Sequence, residues 1–146
     1  MKFSSITITL LSVAAGASAG CYKRGDGDNQ GDGQFGKGLN EHKIIDSVAA
    51  LLKGQYLSNE ERQQCAMDTF QNKWKFYVKN TDGKPRDISE ATVKDYLSRE
   101  AYACQYGGKS KQEKVWEIIS DPNPGECVSS NPNSRRSEDI AVEFEA

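Results

Sequence analysis

The sequence predicts an α+β fold, a small antiparallel sheet with helices able to cover both of its faces. Three observations predict it. Apolar residues recur with a helical period after Asn40 and again after Ser89, residues 73–79 alternate with a strict period of two, and a further apolar run, 115–120, follows the second helical stretch.

The first 19 residues read as a secretory signal: a basic start at Lys2, an apolar run from Ile6 to Ala15, and the small-x-small pattern Ala17-Ser18-Ala19. That run of about ten residues is half of the roughly 20 needed to span a bilayer, so it predicts export and not anchorage. Residues 20–38 form a Gly/Asp-rich arm with almost nothing apolar before Phe35, expected to be irregular and held mainly by Cys21. Residues 39–128 carry the α+β domain.

Within that domain Ile44, Ile45, Val48, Leu51 and Leu52 fall on one helical stripe, with Asn40 placed to cap and Gly54 to stop a helix over 40–53. Residues 58–64 are ambiguous, because Ser58-x-x-Glu61 fits a capping box while the sequence beyond it looks extended. Trp74, Phe76 and Val78 point to one face of a strand and Lys73, Lys75, Tyr77 and Lys79 to the other. Residues 65–70 pair with it as a hairpin, and the turn chemistry of residues 80–85 closes it. Asp87 or Ser89 caps a second helix with Val93, Tyr96, Leu97, Ala101 and Cys104 on its apolar stripe, and Gly107-Gly108 stops it. The strand 115–120 is apolar on both faces, so it belongs at the centre of the sheet or under cover on both sides. Asp121-Pro122-Asn123-Pro124-Gly125 is expected to end it in a rigid turn. Residues 129–146 read as a disordered tail.

The chain has 146 residues, 19 basic and 21 acidic, and a net charge of −2; its mean hydropathy is −0.72. This fits a single domain and no multidomain enzyme. An acidic chain gains no attraction to phosphate backbones, which excludes nucleic acid as a principal partner and disfavours cationic membrane lysis. No membrane insertion is expected. All four cysteines, Cys21, Cys65, Cys104 and Cys127, follow the signal, and in an oxidising compartment they read as two disulfides. Four cysteines allow three pairings. The strand after Cys104 should carry Cys127 away from it, which favours Cys21–Cys127 with Cys65–Cys104.

Catalysis has little to work with. The single histidine, His42, sits among charged neighbours and is expected to be structural or solvent-exposed, and the cysteines are expected to be oxidised, which disfavours a serine or cysteine hydrolase. Two-carboxylate glycoside hydrolysis is compatible with the composition, but spacing selects no pair. No metal site and no cofactor is expected: the run Asp26 to Asp32 imitates a calcium loop but has Lys37 where the bidentate glutamate belongs. Arg24-Gly25-Asp26 is a near-chance integrin-type match. Of the dibasic pairs, Arg135-Arg136 is a credible processing site, whereas cleavage at Lys23-Arg24 would detach Cys21.

The aromatic residues say more, because sugars are held by aromatic faces with carboxylates and amides taking the hydroxyls. Tyr102, Tyr106, Trp116, Asp121 and Asn123 cluster in sequence, and Tyr77 projects from the polar face of its strand. The glycan-binding candidates are Tyr106, Lys109, Asp121, Asn123, Tyr77 and Trp116, centred on the loop after the second helix and the turn after the third strand. Tyr77 with Lys75 on the outer strand face is the next place to look. The competing reading makes Gly107-Gly108 a helix stop, residues 121–125 a turn, and both tryptophans core.

Leu-Leu-Lys-Gly-Gln-Tyr at 51–56, Glu-Arg-Gln-Gln-Cys at 61–65, Trp-Lys-Phe-Tyr-Val-Lys-Asn at 74–80, Cys-Gln-Tyr-Gly-Gly at 104–108 and the Trp116–Cys127 segment with Asp-Pro-Asn-x-Gly-x-Cys resemble a family of small secreted fungal proteins. Its characterised member is a mushroom glycan-binding lectin. The resemblance, over residues 44–127, implies an αβα sandwich that binds a glycan or glycoconjugate, and leaves a homodimer open. The expected function is therefore that of a secreted, non-enzymatic carbohydrate-binding protein. The alternatives are an effector-like protein that binds a host or competitor protein and, third, a small secreted hydrolase.

Overall fold

The computed structural model describes residues 20–26, 31–40 and 43–128. The signal segment, Asp28, His42, the 129–146 tail and Arg135-Arg136 lie outside the described residues.

Helix α1 spans Ile44–Leu52 and buries Ile44, Ile45, Val48 and Leu52, while Leu51, expected on the stripe, is exposed. The helix starts later than Asn40 because the chain before it is already used: Gln34–Leu39 forms a 3-10 turn, and the Asn40 N–H closes that turn on Lys37 O. Lys43 precedes the helix in a left-handed conformation and makes no side-chain cap. Gly54, at φ 119, ends the helix region and opens the short strand β2, Gly54–Tyr56. Helix α2 spans Glu90–Ala103. Its cap is Ser89, whose hydroxyl accepts the Thr92 N–H at 3.2 Å, and not Asp87. The helix ends at Cys104, three residues before Gly107, and Gly107-Gly108 serves instead as the turn into the next strand.

The other strands are β1 (Gly20–Cys21), β3 (Glu61–Met67), β4 (Asn72–Asn80), β5 (Arg86–Ile88), β6 (Gly108–Gln112) and β7 (Trp116–Pro124). They form a five-stranded antiparallel sheet in the order β1-β6-β7-β4-β3 and a separate β2–β5 ribbon. The hairpin and the central strand of the sequence reading are both present: β3 pairs with β4 (Ala66 opposite Trp74), and β7 lies between β6 and β4. The proline-rich segment is not a turn, however, since β7 continues through Pro124. Pairing with β6 ends at Ser120, so beyond it β4 is, among the described residues, the one strand paired with β7, and a missing proline N–H need not break a ladder bond on the other side.

Both helices lie on one face. Trp74, Phe76, Val78, Ala66, Trp116 and Ile118 share a single hydrophobic cluster with Ile45, Val48, Leu52, Val93, Leu97 and Ala101 from the helices. Among the described residues this gives two layers, α over β, where helices on both faces were expected. The physical reason is that the opposite face offers lysines, a tyrosine and carboxylates in place of an apolar stripe, so it has nothing for an amphipathic helix to bury.

The glycine-rich arm also departs from expectation. In its described part it is packed, and its glycines are the reason it can be. A Cβ at Gly33 would stand 2.6 Å from the Trp74 ring, and one at Gly36 would collide with the Tyr102 ring. The arm thus passes over the end of β4 and along α2 at a distance only glycine permits.

The disulfides are Cys21–Cys104 and Cys65–Cys127, with Cα atoms 5.3 and 5.8 Å apart, which corrects the expected pairing. β7 does carry Cys127 away from Cys104. What the sequence concealed is that β1 joins the sheet beside β6, with Cys21 opposite Gly108 and therefore next to the end of α2. After Gly125 the chain then crosses to β3, where Cys65 waits.

One helix residue breaks the apolar pattern. Glu100 lies on the buried stripe of α2 at 0% exposure, and neither carboxyl oxygen has a donor in good hydrogen-bond geometry. Burial raises its pKa, and the nearby Ser110 hydroxyl draws it back only in part. A carboxyl whose folded pKa exceeds its unfolded value of about 4.3 stabilises fully below that value and loses the contribution as pH rises through the folded pKa. Glu100→Gln should therefore melt higher than the parent at pH 7, with the difference shrinking towards pH 4. Calorimetry across that range checks this, and a pH-independent difference contradicts it.

Candidate functional site

The sheet face away from the helices is built by the same alternation that makes the core. On β4 it presents Lys73, Lys75, Tyr77 and Lys79, on β7 Glu117, Ile119 and Asp121, and on β6 Lys109 and Lys111. Register sets the rows: Lys75 stands opposite Asp121, Tyr77 opposite Ile119, and Lys79 opposite Glu117, with Lys109 flanking Ile119 from the other side. Tyr77 is thus at the middle of the face with an aliphatic neighbour and a ring of charges.

Tyr22 joins this face from β1. Its N–H bonds Gly107 O at 3.0 Å, and the disulfide at Cys21 holds the strand that delivers it. Its phenol is pushed up to about 12, first by burial and then by Asp121 and Glu117, with Glu100 and Tyr77 adding to the effect. It therefore stays a neutral hydrogen-bonding group at any physiological pH. The face is electrostatically ordered at its margins, where Lys109 pairs with Glu117 at 3.0 Å and Lys79 with Glu61 at 3.8 Å. At the opposite end Gln63, Cys65, Lys73, Lys75 and Glu126 line a hollow of about 230 Å³.

Of the sequence candidates, the structure brings Tyr77, Lys109 and Asp121 onto this one face, with Lys75 beside them. Asn123 has the parity of the same face but is 4% exposed, and its amide donates to Asp121 O at 3.2 Å. Trp116 is removed from the surface: it is 4% exposed on the helix side of the sheet, edge-to-face with Tyr56 at 5.4 Å. Tyr106 is half-buried in the turn that receives the Tyr22 N–H. Tyr102 lies apart, against the 3-10 turn at Gly36. Sequence reading missed Tyr22 and Lys73. Tyr22 was hidden in an arm read as irregular, and only its place next to a cysteine hinted that it would be held.

Of the run from Asp26 to Asp32 that imitates a calcium loop, residues 27–30 lie outside the described residues, and the two described aspartates make hydrogen bonds within the chain. Asp26 accepts the Lys23 N–H, and Asp32 accepts the Gln34 N–H and the Gln105 amide. Among the described residues no group of three His, Cys, Asp or Glu could hold a metal ion.

A second surface stands out. Phe35, Phe70 and Tyr102 are each more than one-third exposed, and they gather at the 3-10 turn, with Tyr102 over Gly36 and Phe70 over Gly38. Comparison with protein-family models gives no match, and comparison with the curated proteins gives none either.

Proposed function

We propose that this chain is a secreted glycan-binding protein that takes its ligand on the helix-free face of the sheet, around Tyr77. The observation that carries the reading is that face: two tyrosines, an aliphatic neighbour, and lysines and carboxylates in register, on the side of the sheet away from α1 and α2. Tyrosine rings supply the apolar surface on which a sugar stacks, and charged groups on rigid strands supply fixed partners for its hydroxyls. The resemblance to the mushroom lectin family points the same way. Export is supported by the leader-like segment and by the two disulfides, which persist in oxidising compartments. No helix among the described residues is long and apolar enough to cross a membrane.

A glycan array probed with the mature, oxidised protein tests this. Binding above background is expected, and Tyr77→Ala should weaken it by about tenfold with little change in melting temperature. Trp116→Ala should do the reverse at the level of folding, destabilising by about 3–5 kcal/mol as a core truncation. Folded protein that retains no glycan overturns the reading.

A specific observation also favours a second reading, an effector-like protein that binds another protein. Exposed apolar rings gathered in one place mark interaction surfaces, and Phe35, Phe70 and Tyr102 form such a group. One saturable protein partner, lost on Phe70→Ala and kept on Tyr77→Ala, would establish it.

A further inference from the structure

We propose that the glycan is acidic, and that its carboxylate or sulfate binds between Lys73 and Lys75. The inference rests on the glycan reading and deepens it by naming the class of sugar. Lys73 and Lys75 lie two residues apart on the outer face of β4, so their Cα atoms are about 7 Å apart and a single anionic group can reach both ammonium groups. Both are half-buried, and among the described residues neither forms a salt bridge. The contrast with their neighbours is informative, because Lys79 and Lys109 on the same face each have a glutamate partner. A partly desolvated ammonium without a counter-charge loses hydration and gains no ion pair in return, and a ligand anion supplies the missing term.

The surroundings narrow the ligand further. The two lysines line the hollow of about 230 Å³ together with Gln63, Gln64, Cys65 and Glu126. That volume lies below the roughly 300–1,000 Å³ of pockets that swallow a small molecule. The hollow therefore takes one sugar residue of a longer chain, whose remainder continues across the face towards Tyr77. Gln63 offers an amide for a sugar hydroxyl. Glu126 opposes the lysines and leaves one net positive charge among the lining residues, which suits one acidic group per sugar and disfavours a dense polyanion. Asp121 stands opposite Lys75 in register but does not line the hollow. The net charge of −2 for the whole chain works against polyanions as well.

The test uses the mature, disulfide-intact protein and two matched pairs of probes: a uronate oligosaccharide with its methyl ester, and a monosulfated oligosaccharide with its unsulfated parent. At low salt the acidic member of at least one pair should bind about tenfold more tightly than its neutral partner. Lys73→Ala/Lys75→Ala should bring the two members level without changing the melting temperature, and Lys84→Ala, an exposed lysine in the turn between β4 and β5, should leave the preference intact. Equal binding of acidic and neutral members overturns the acidic subsite while the glycan reading stands. So does a preference that survives in the double variant, or an RNA oligonucleotide that competes as well as the acidic sugar. Failure to bind any of the four sugars by a protein that binds a neutral glycan on the array overturns the acidic subsite, and absence of binding on the array as well overturns the glycan reading itself.

Discussion

Removing the Cys21–Cys104 disulfide by a double alanine substitution should lower stability by about 4 kcal/mol and release Tyr22 from the helix-free face of the sheet. The bond closes a loop with a sequence separation of 83, and constraining a loop of that size in the unfolded chain is worth about 4–5 kcal/mol before strain or residual structure is considered. Among the described residues little else holds β1: it has two residues, both exposed, pairs with Gly108 and Lys109 at the edge of the sheet, and is followed by the single Tyr22 N–H bond to Gly107 O. Urea denaturation under oxidising conditions measures the loss as a shift of the midpoint. A shift of less than about 1 kcal/mol would mean that the arm is held by its glycine contacts alone. The same variant should bind glycan less tightly than the parent at temperatures where it remains folded, because Tyr22 reaches the face only through this strand.

Gly107→Ala should be the most damaging single substitution in a turn, destabilising by about 2–4 kcal/mol. Two independent causes add. Gly107 has φ 74, a conformation that strains an alanine by about 1 kcal/mol or more. A Cβ there would also run into the Ser120 carbonyl and stand 2.5 Å from the Pro122 ring, atoms of the central strand that cannot step aside as a surface side chain can. Gly83→Ala is the matched control, since Gly83 has no positive φ and nothing within 4 Å of its would-be Cβ. Thermal melts of the two variants should differ by many degrees, and near-equal melts would contradict the packing described at this turn.

What the sequence revealed and what it hid divide along physical lines. Periodicity exposes elements that bury one side, and so α1, α2, the β3–β4 hairpin and the central position of β7 were legible from Ile44, Val48, Val93, Leu97, Trp74, Phe76 and Ile118. Periodicity does not say which side of a sheet a helix covers, and the two layers became clear only when Trp74 and Trp116 were seen under the same helices. Close approach was invisible too. Glycines in 20–38 look like flexibility in a sequence, yet Gly33 and Gly36 are there because Trp74 and Tyr102 leave no room for a side chain. The disulfide pairing depended on a two-residue edge strand, too short for any pattern to announce. The prolines of β7 looked like a turn because local preference cannot see that β6 ends at Ser120. In the site, alternation identified Tyr77 and Lys75, and register then added Asp121 and Lys109. Trp116, named as a candidate for its ring, follows instead the core reading that its alternation with core aliphatics favoured, while Tyr22 was reached only through its neighbouring cysteine.

The central claim, that ligand binds on the helix-free face of the sheet, is tested most directly by following backbone amide resonances while the strongest ligand from the array is added to the oxidised protein. Saturable shifts are expected at Tyr22, at residues 73–79 of β4 and at residues 117–121 of β7, with the 3-10 turn at Gln34–Leu39 unmoved. Shifts confined to that turn, Phe70 and Tyr102, with Tyr22, Lys75 and Tyr77 silent, would contradict it.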